Sequence, residues 1–177
     1  RSVFDDDGHC NARRIGRGIR LGRGEYPDLH VTRLMDGTIF PVCSPLLLRG
    51  EHPLRNVGDL KFHTLLHDTA IASEEESLTW RNWLRHAGAS DVDGSRGPGF
   101  SDAAMAIQAA IAGQGVALGR PALVVEDLAA GHLVRPFEQQ IRNRYSYYLV
   151  CAASSAEQPK QRAFRAWMLE EIARSKL

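Results

Sequence analysis

Ser101 and Asp102 stand immediately ahead of an alanine- and isoleucine-rich run, in the segment FSDAAMAIQAAIAGQGVALGR from Phe100 to Arg120. Either residue is a natural helix N-cap. The backbone N–H groups from Ser101 to Ala104 then carry the positive end of a helix dipole, which suits a small anion or a carboxylate. The alternative is that the capping side chain satisfies those groups itself. Arg23, held between Gly22 and Gly24, is a second candidate. A guanidinium on a short loop at a strand end can grip a carboxylate with two hydrogen bonds, or can simply face solvent. Tyr147 and Tyr148 fall on opposite faces of a strand, so one packs inward while the other presents its hydroxyl.

Other reactive residue types carry weaker patterns. His63 and His67 are four apart, a metal-binding spacing on a helix, yet HTLLH reads as a strand in which the two merely share a face. His9 and Cys10 beside Asp5, Asp6 and Asp7 are donors a cation can use, but the charged, glycine-rich run around them reads as a solvated, flexible terminus. Trp80 and Trp83, three apart on a helix, are core residues before they are a ligand platform. Gly113, Gly115 and Gly119 imitate a dinucleotide fingerprint, but they follow a helix and open a strand, which is the wrong order. The chain contains no His-Glu-x-x-His, paired Cys-x-x-Cys, Walker loop or Gly-x-Ser-x-Gly elbow, so no motif supports an enzyme.

The elements that must position these residues alternate in type. Ile19 to Leu21 is a short strand; Leu29 to Leu34 and Thr38 to Cys43 are two more, separated by a break at Asp36-Gly37. Pro45 to Leu48 and Val57 to Leu60 are helical turns, and Thr64 to Leu66 is a strand. Ser77 to Ala87 is an amphipathic helix ending at Gly88, and residues 91–99 form a loop. The Phe100 to Arg120 segment supplies a helix with Ala104, Ile107 and Ile111 at helical spacing, a stop at Gly113 to Gly115, and the strand Val116 to Leu118. Pro121 opens a helix with Leu123, Val124, Leu128 and Ala129 inward and a stop at Gly131. Leu133-Val134 and Tyr145 to Ala152 are strands, and Gln161 to Ile172 is a helix with Phe164, Trp167, Met168 and Ile172 on one side. Strands alternating with helices predict an α/β fold.

Composition narrows the class without naming an activity. Of the 177 residues, 44% are hydrophobic and 24% charged, as in ordinary folded domains. Lys+Arg 22 against Asp+Glu 21 leaves a net charge of +1, so no global field draws this chain to nucleic acid or an anionic membrane. No run is long and apolar enough for a membrane span, and RSVFDDDGHC lacks a secretory pattern, so the expected location is cytoplasmic. Cys10, Cys43 and Cys151 are odd in number and far apart, which predicts no disulfide framework, and Cys43 and Cys151 lie in apolar strand-like runs that suit buried reduced thiols.

The order of segments resembles the effector-binding domain of LysR-type transcriptional regulators, especially the branch of the glycine-cleavage activators and the β-lactamase regulator. The carriers are IRLGRGEYPDL (Ile19 to Leu29), LMDGTIFPVCSP (Leu34 to Pro45), HPLR (His52 to Arg55), HTLLHD (His63 to Asp68) and WRNWL (Trp80 to Leu84). They continue with the Phe100 to Arg120 segment, DLAAGHLVRPF (Asp127 to Phe137), SYYLV (Ser146 to Val150) and AFRAWMLEEI (Ala163 to Ile172). The resemblance implies two Rossmann-like lobes as in type 2 periplasmic-binding-protein folds, with the first lobe incomplete. The expected boundaries are an irregular lead-in over 1–17, a first lobe with the C-terminal helix from 18–40 and 141–177, and a second lobe over 41–140. It also implies a small-molecule effector, anionic or amino-acid-like, in a cleft between lobes, contacted at Ser101, Asp102, Ala103, Tyr147, Gly22 and Arg23. No enzyme activity, cofactor, metal or membrane partner is expected. A homo-oligomer is expected, with DNA contacted only through a winged helix-turn-helix absent from this chain. The alternative is a stand-alone small-molecule-binding or protein-interaction module, a truncated remnant without DNA binding.

Overall fold

The computed structural model describes residues 17–72 and 78–175. The expected lead-in, apart from Arg17, and the acidic His9-Cys10 cluster lie outside the described residues. The chain divides into two compact units: unit 1, Arg1–Gly37 with Arg144–Leu177, and unit 2, Thr38–Asn143.

Unit 2 follows from strand alternation. Its sheet runs in the order β2 (Leu29–Cys43), β5 (Val116–Gly119), β3 (Leu65–Asp68), β4 (Gly99–Phe100). β5 is antiparallel to β2, whereas β3 is parallel to both β4 and β5. Because successive side chains point to opposite faces, Leu65, Val116 and Ile39 bury one way and Leu66, Ala117 and Phe40 the other. The first face meets α2 (Trp80–His86) through Trp80, Trp83 and Leu84, while the second meets α3 (Ala103–Ile111) and α4 (Pro121–Ala129) through Ala106, Ile107, Ala110 and Val124. Helices on both faces of strands that are partly parallel make unit 2 a doubly wound layer.

Unit 1 is built from β1 (Gly18–Gly22), β6 (Ile141–Ala152), the first half of β2 and α5 (Pro159–Arg174), in the strand order β1-β6-β2. Neither apolar cluster has a member in this unit among the described residues. Leu149, Val150 and Cys151 are its principal buried side chains on β6. The α/β class read from the sequence is therefore the observed one.

Several local expectations need correction. The Asp36-Gly37 break does not turn the chain: β2 is one strand of 15 residues. Pairing along the ladder outweighs the turn preference of this dipeptide, and Asp36 instead pairs with Arg33 at 2.8 Å. A four-residue helix, α1 (Thr69–Ala72), follows β3 where none was expected, and α2 begins later than Ser77, with Thr79 as its N-cap. On α3 the buried stripe is Ala106, Ile107, Ala109 and Ala110, and Ala104 is exposed. On α4, Val124 is buried but Leu123 and Ala129 are exposed. The α5 face expected to bury Trp167 leaves it 51% exposed, with Gln161 as the helix's buried residue. An amphipathic pattern shows which face can be covered, while the neighbouring elements decide how much cover exists.

Cys43 and Cys151 are both free and buried, and burial pushes the Cys43 thiol up to about 11, so it stays protonated and inert. Asp59 closes the turn Val57–Phe62 by accepting from the Arg55 and Asn56 N–H groups, each at 2.9 Å. Those backbone bonds hold its carboxyl below the ordinary 3.8. Since the folded value is depressed, the stability Asp59 adds is present above the ordinary value and disappears as pH falls through the folded one. Asp59→Ala should therefore be less stable than the parent at pH 7, with the difference closing below about pH 3.8. Urea melts at the two pH values decide this; a pH-independent difference contradicts it.

Candidate functional site

The parallel strands β3, β4 and β5 end at Asp68, Phe100 and Gly119, and a helix follows each end closely. Sites in doubly wound sheets form outside such carboxyl ends, because loops there converge while the strands hold them in register. In unit 2 this edge carries Asp68, Thr69, Ser101, Asp102 and Arg120.

Short polar bonds tie the edge together. Thr69 Oγ1 donates to the Phe100 carbonyl at 2.8 Å, joining the end of β3 to that of β4. Gly99 permits this approach, for a Cβ there would lie 2.6 Å from Thr69 Cγ2. Arg120 Nη2 donates to Asp68 Oδ2 at 3.1 Å, joining β5 to β3, and Asp68 Oδ1 accepts from the Ala70 N–H at 3.1 Å. The ion pair is largely withdrawn from water: the Arg120 side chain is 9% exposed and that of Asp68 20%. It borders a small recess whose walls include Ile39, Leu66, Leu118, Thr79 and Trp80. Trp80 is held rigid by its Nε1, which donates to the Leu66 carbonyl at 3.0 Å. Charges in such a poorly solvated place interact more strongly than in open water.

Asp102 is the N-cap of α3, its Oδ1 accepting from the Ala104 N–H at 2.7 Å. The cap thus satisfies one of the donors a ligand would otherwise meet. Ser101 is exposed and Ala103 half-buried. Asp102→Ala should cost about 1 kcal/mol through loss of the cap, while Asp102→Asn should be close to neutral; thermal melts of the pair of variants measure the difference, and equal melts would show that the cap is idle.

In unit 1 the expected residues also come together. Gly22 ends β1 opposite Ser146, and Leu21 pairs with Tyr147. The Arg23 guanidinium lies 5.6 Å from the Tyr145 ring centre, within cation–π range. Gly24 has φ of 86° and leaves room for Tyr148, whose Cζ would be 2.8 Å from a Cβ at that position. Tyr148 Oη donates to the Arg23 carbonyl at 3.4 Å, and Tyr147 is half-buried. The two histidines do not share a strand face: His63 caps the turn before β3, and His67 Nε2 donates to the Arg96 carbonyl at 2.8 Å. Among the described residues no cluster of His, Cys, Asp and Glu forms a metal site, and no helix is long and apolar enough to cross a membrane.

Asp68 and Arg120 were missed by the sequence reading. The available signal was positional, since each is a charged residue ending an apolar strand, in TLLHD and GVALGR, with a helix start directly after. Their mutual pairing, 52 residues apart, had no local signal.

The family model for the LysR substrate binding domain matches residues 12–173. The glycine cleavage system transcriptional activator of Escherichia coli K12 is 45% identical over 155 residues, covering 88% of this chain and 49% of the relative. The regulator DsdC of the same organism is 33% identical over 97% of this chain and 56% of its own length. This chain therefore spans about half the length of these curated relatives. Among solved structures, the effector domain of the regulator AmpR of Pseudomonas aeruginosa matches with a TM-score of 0.70 and 28% identity, covering 92% of this chain and 74% of that one. The AmpR effector-binding domain of Citrobacter freundii gives 0.72 and 25%, over 92% and 77%.

Proposed function

The chain belongs to the LysR substrate-binding-domain family, and from that premise we propose that it is the effector-sensing part of a bacterial transcriptional regulator. The observation that carries the reading is the convergence in unit 2 of three parallel strand ends, the starts of α3 and α4, and a shielded Arg120–Asp68 pair beside a recess. The relatives' names support it, being those of transcriptional regulators rather than enzymes. The effector is a small anionic or amino-acid-like molecule; a buried guanidinium and helix N-termini both favour negative charge. Ser101, Asp102 and Ala103 in unit 2 and Gly22, Arg23 and Tyr147 in unit 1 are the proposed contacts. The domain acts without catalysis: the effector binds one conformation better and shifts the population toward it. DNA is contacted by a winged helix-turn-helix outside this chain, in a cytoplasmic homo-oligomer.

A ligand bound at about 100 times its Kd stabilises a folded protein by about 2.7 kcal/mol. A thermal-shift screen with amino acids, small carboxylates and cell-wall fragments should therefore give at least one clear rise in Tm, weakened by Tyr147→Ala. A sample that melts cooperatively and is stabilised by none of them counts against effector sensing.

A further inference from the structure

We propose that the outward face of α5 pairs antiparallel with the same face of a second copy of this chain, Arg162 of each copy meeting Glu170 of the other; this assigns a surface to the homo-oligomer proposed above and rests on that part of the reading. The starting point is a helix whose polarity is partly turned over. The side of α5 that lies against the rest of unit 1 mixes half-buried Phe164, Met168 and Ile172 with Gln161, which is buried, and with Arg165 and Glu171, which are half-buried. Away from that side Trp167 and Leu169 stay 51% and 40% exposed, and Ala163, Ala166 and Ala173 are exposed with them. A helix that simply faces water carries polar residues there. A shallow, open groove runs over this surface from Arg162 to Leu169. Large apolar side chains gathered on one exposed face, with charged residues at its edge, mark a docking surface.

The charges decide the occupant. Arg162 and Glu170 stand four residues to either side of Ala166, and both are exposed. Among the described residues Arg162 meets no carboxylate, the ion pairs of α5 being those of Arg165 and Arg174. Glu170 lies a loose 3.8 Å from Arg174, whose closer partner is Glu171 at 2.9 Å. A partner of a single charge sign satisfies one of the two and repels the other. A second copy turned about a two-fold axis through Ala166 satisfies both, because that rotation sets Arg162 across from Glu170 and Ala163 across from Leu169 of the other copy, each pair occurring twice. Ala166 meets its own counterpart at the axis, where a methyl group lets the two helices approach to about 8 Å, the short end of helix spacings. Trp167 then flanks the seam and covers it from water. α5 is 16 residues, about 24 Å, long enough for every one of these pairs to form in a single register.

The test follows self-association of the whole 177-residue chain by sedimentation equilibrium up to about 1 mM, enough to populate a weak pairing. The parent should dimerise. Arg162→Glu and Glu170→Arg should each weaken the dimer about tenfold or more, because each sets like charges face to face twice in the symmetric pair. The double variant Arg162→Glu with Glu170→Arg should return to within about twofold of the parent. All three change exposed positions and should keep the parent's circular dichroism. In a Cys10→Ser background Ala166→Cys should give a covalent dimer on mild oxidation, since Cys43 and Cys151 are buried and the axis brings position 166 within disulfide reach of its counterpart. Single reversals that leave the dimer unchanged, a double variant no tighter than either single, or a dimer that Ala166→Cys does not link overturns the inference and leaves a homo-oligomer built on another surface. A chain that is monomeric over the whole range removes the homo-oligomer as well, while effector sensing is decided separately by the thermal-shift screen.

Discussion

Arg120→Met is expected to lower the unfolding free energy by about 3 kcal/mol, because truncating one member of a buried ion pair strands the other. Methionine preserves most of the aliphatic stem, so the loss reports on charge and hydrogen bonding more than on volume. In the variant the Asp68 carboxylate would retain the Ala70 N–H and its residual 20% exposure, which is why the low end of the range for buried pairs applies. Adding Asp68→Asn should recover part of the loss, since a neutral amide tolerates the site where a lone carboxylate does not. Urea denaturation of the two single variants, the double variant and the parent gives the coupling directly. A single variant as stable as the parent would show that the pair contributes nothing to holding β5 against β3. The same substitution should abolish effector binding if Arg120 is its anion anchor.

Trp83→Ala should cost about 3 to 5 kcal/mol, the range for truncating a large aromatic in a core. Trp83 is fully buried, stacks on Phe137 at 6.1 Å and meets Trp80 edge-on at 5.8 Å. It therefore joins α2 to the strand face carrying Ile39, Leu65 and Val116. Trp83→Phe should be much milder, since it keeps an aromatic ring and removes an indole N–H that has no partner. Thermal or urea melts distinguish them; equal destabilisation by the two would mean that shape at this position matters more than burial. Because Trp80 next to it forms a wall of the recess, Trp83→Ala should also weaken effector binding, by loosening the wall rather than by removing a contact.

The legible parts of this fold were those written in local pattern. The helix from Ala103 to Ile111, its glycine stop and the strand after it follow from a cap residue, an apolar run and Gly113, whose φ is 76°. Which stripe of that helix is buried did not follow: with so many alanines several faces are equally apolar, and the β3–β5 face it meets chose Ala106 and Ala110 over Ala104. The same limit applies at Asp36-Gly37, where a dipeptide that ends strands elsewhere lies inside β2, beside the boundary between units.

What the sequence determined by itself was the order and type of the elements, the polar helix start at Ser101-Asp102 and, through its ordered motifs, the family. These are properties of neighbours along the chain, set by caps, periods and glycines. Only the tertiary structure decided that Asp68 and Arg120 meet, because parallel strands with intervening helices bring together residues whose separation in sequence leaves no periodic trace.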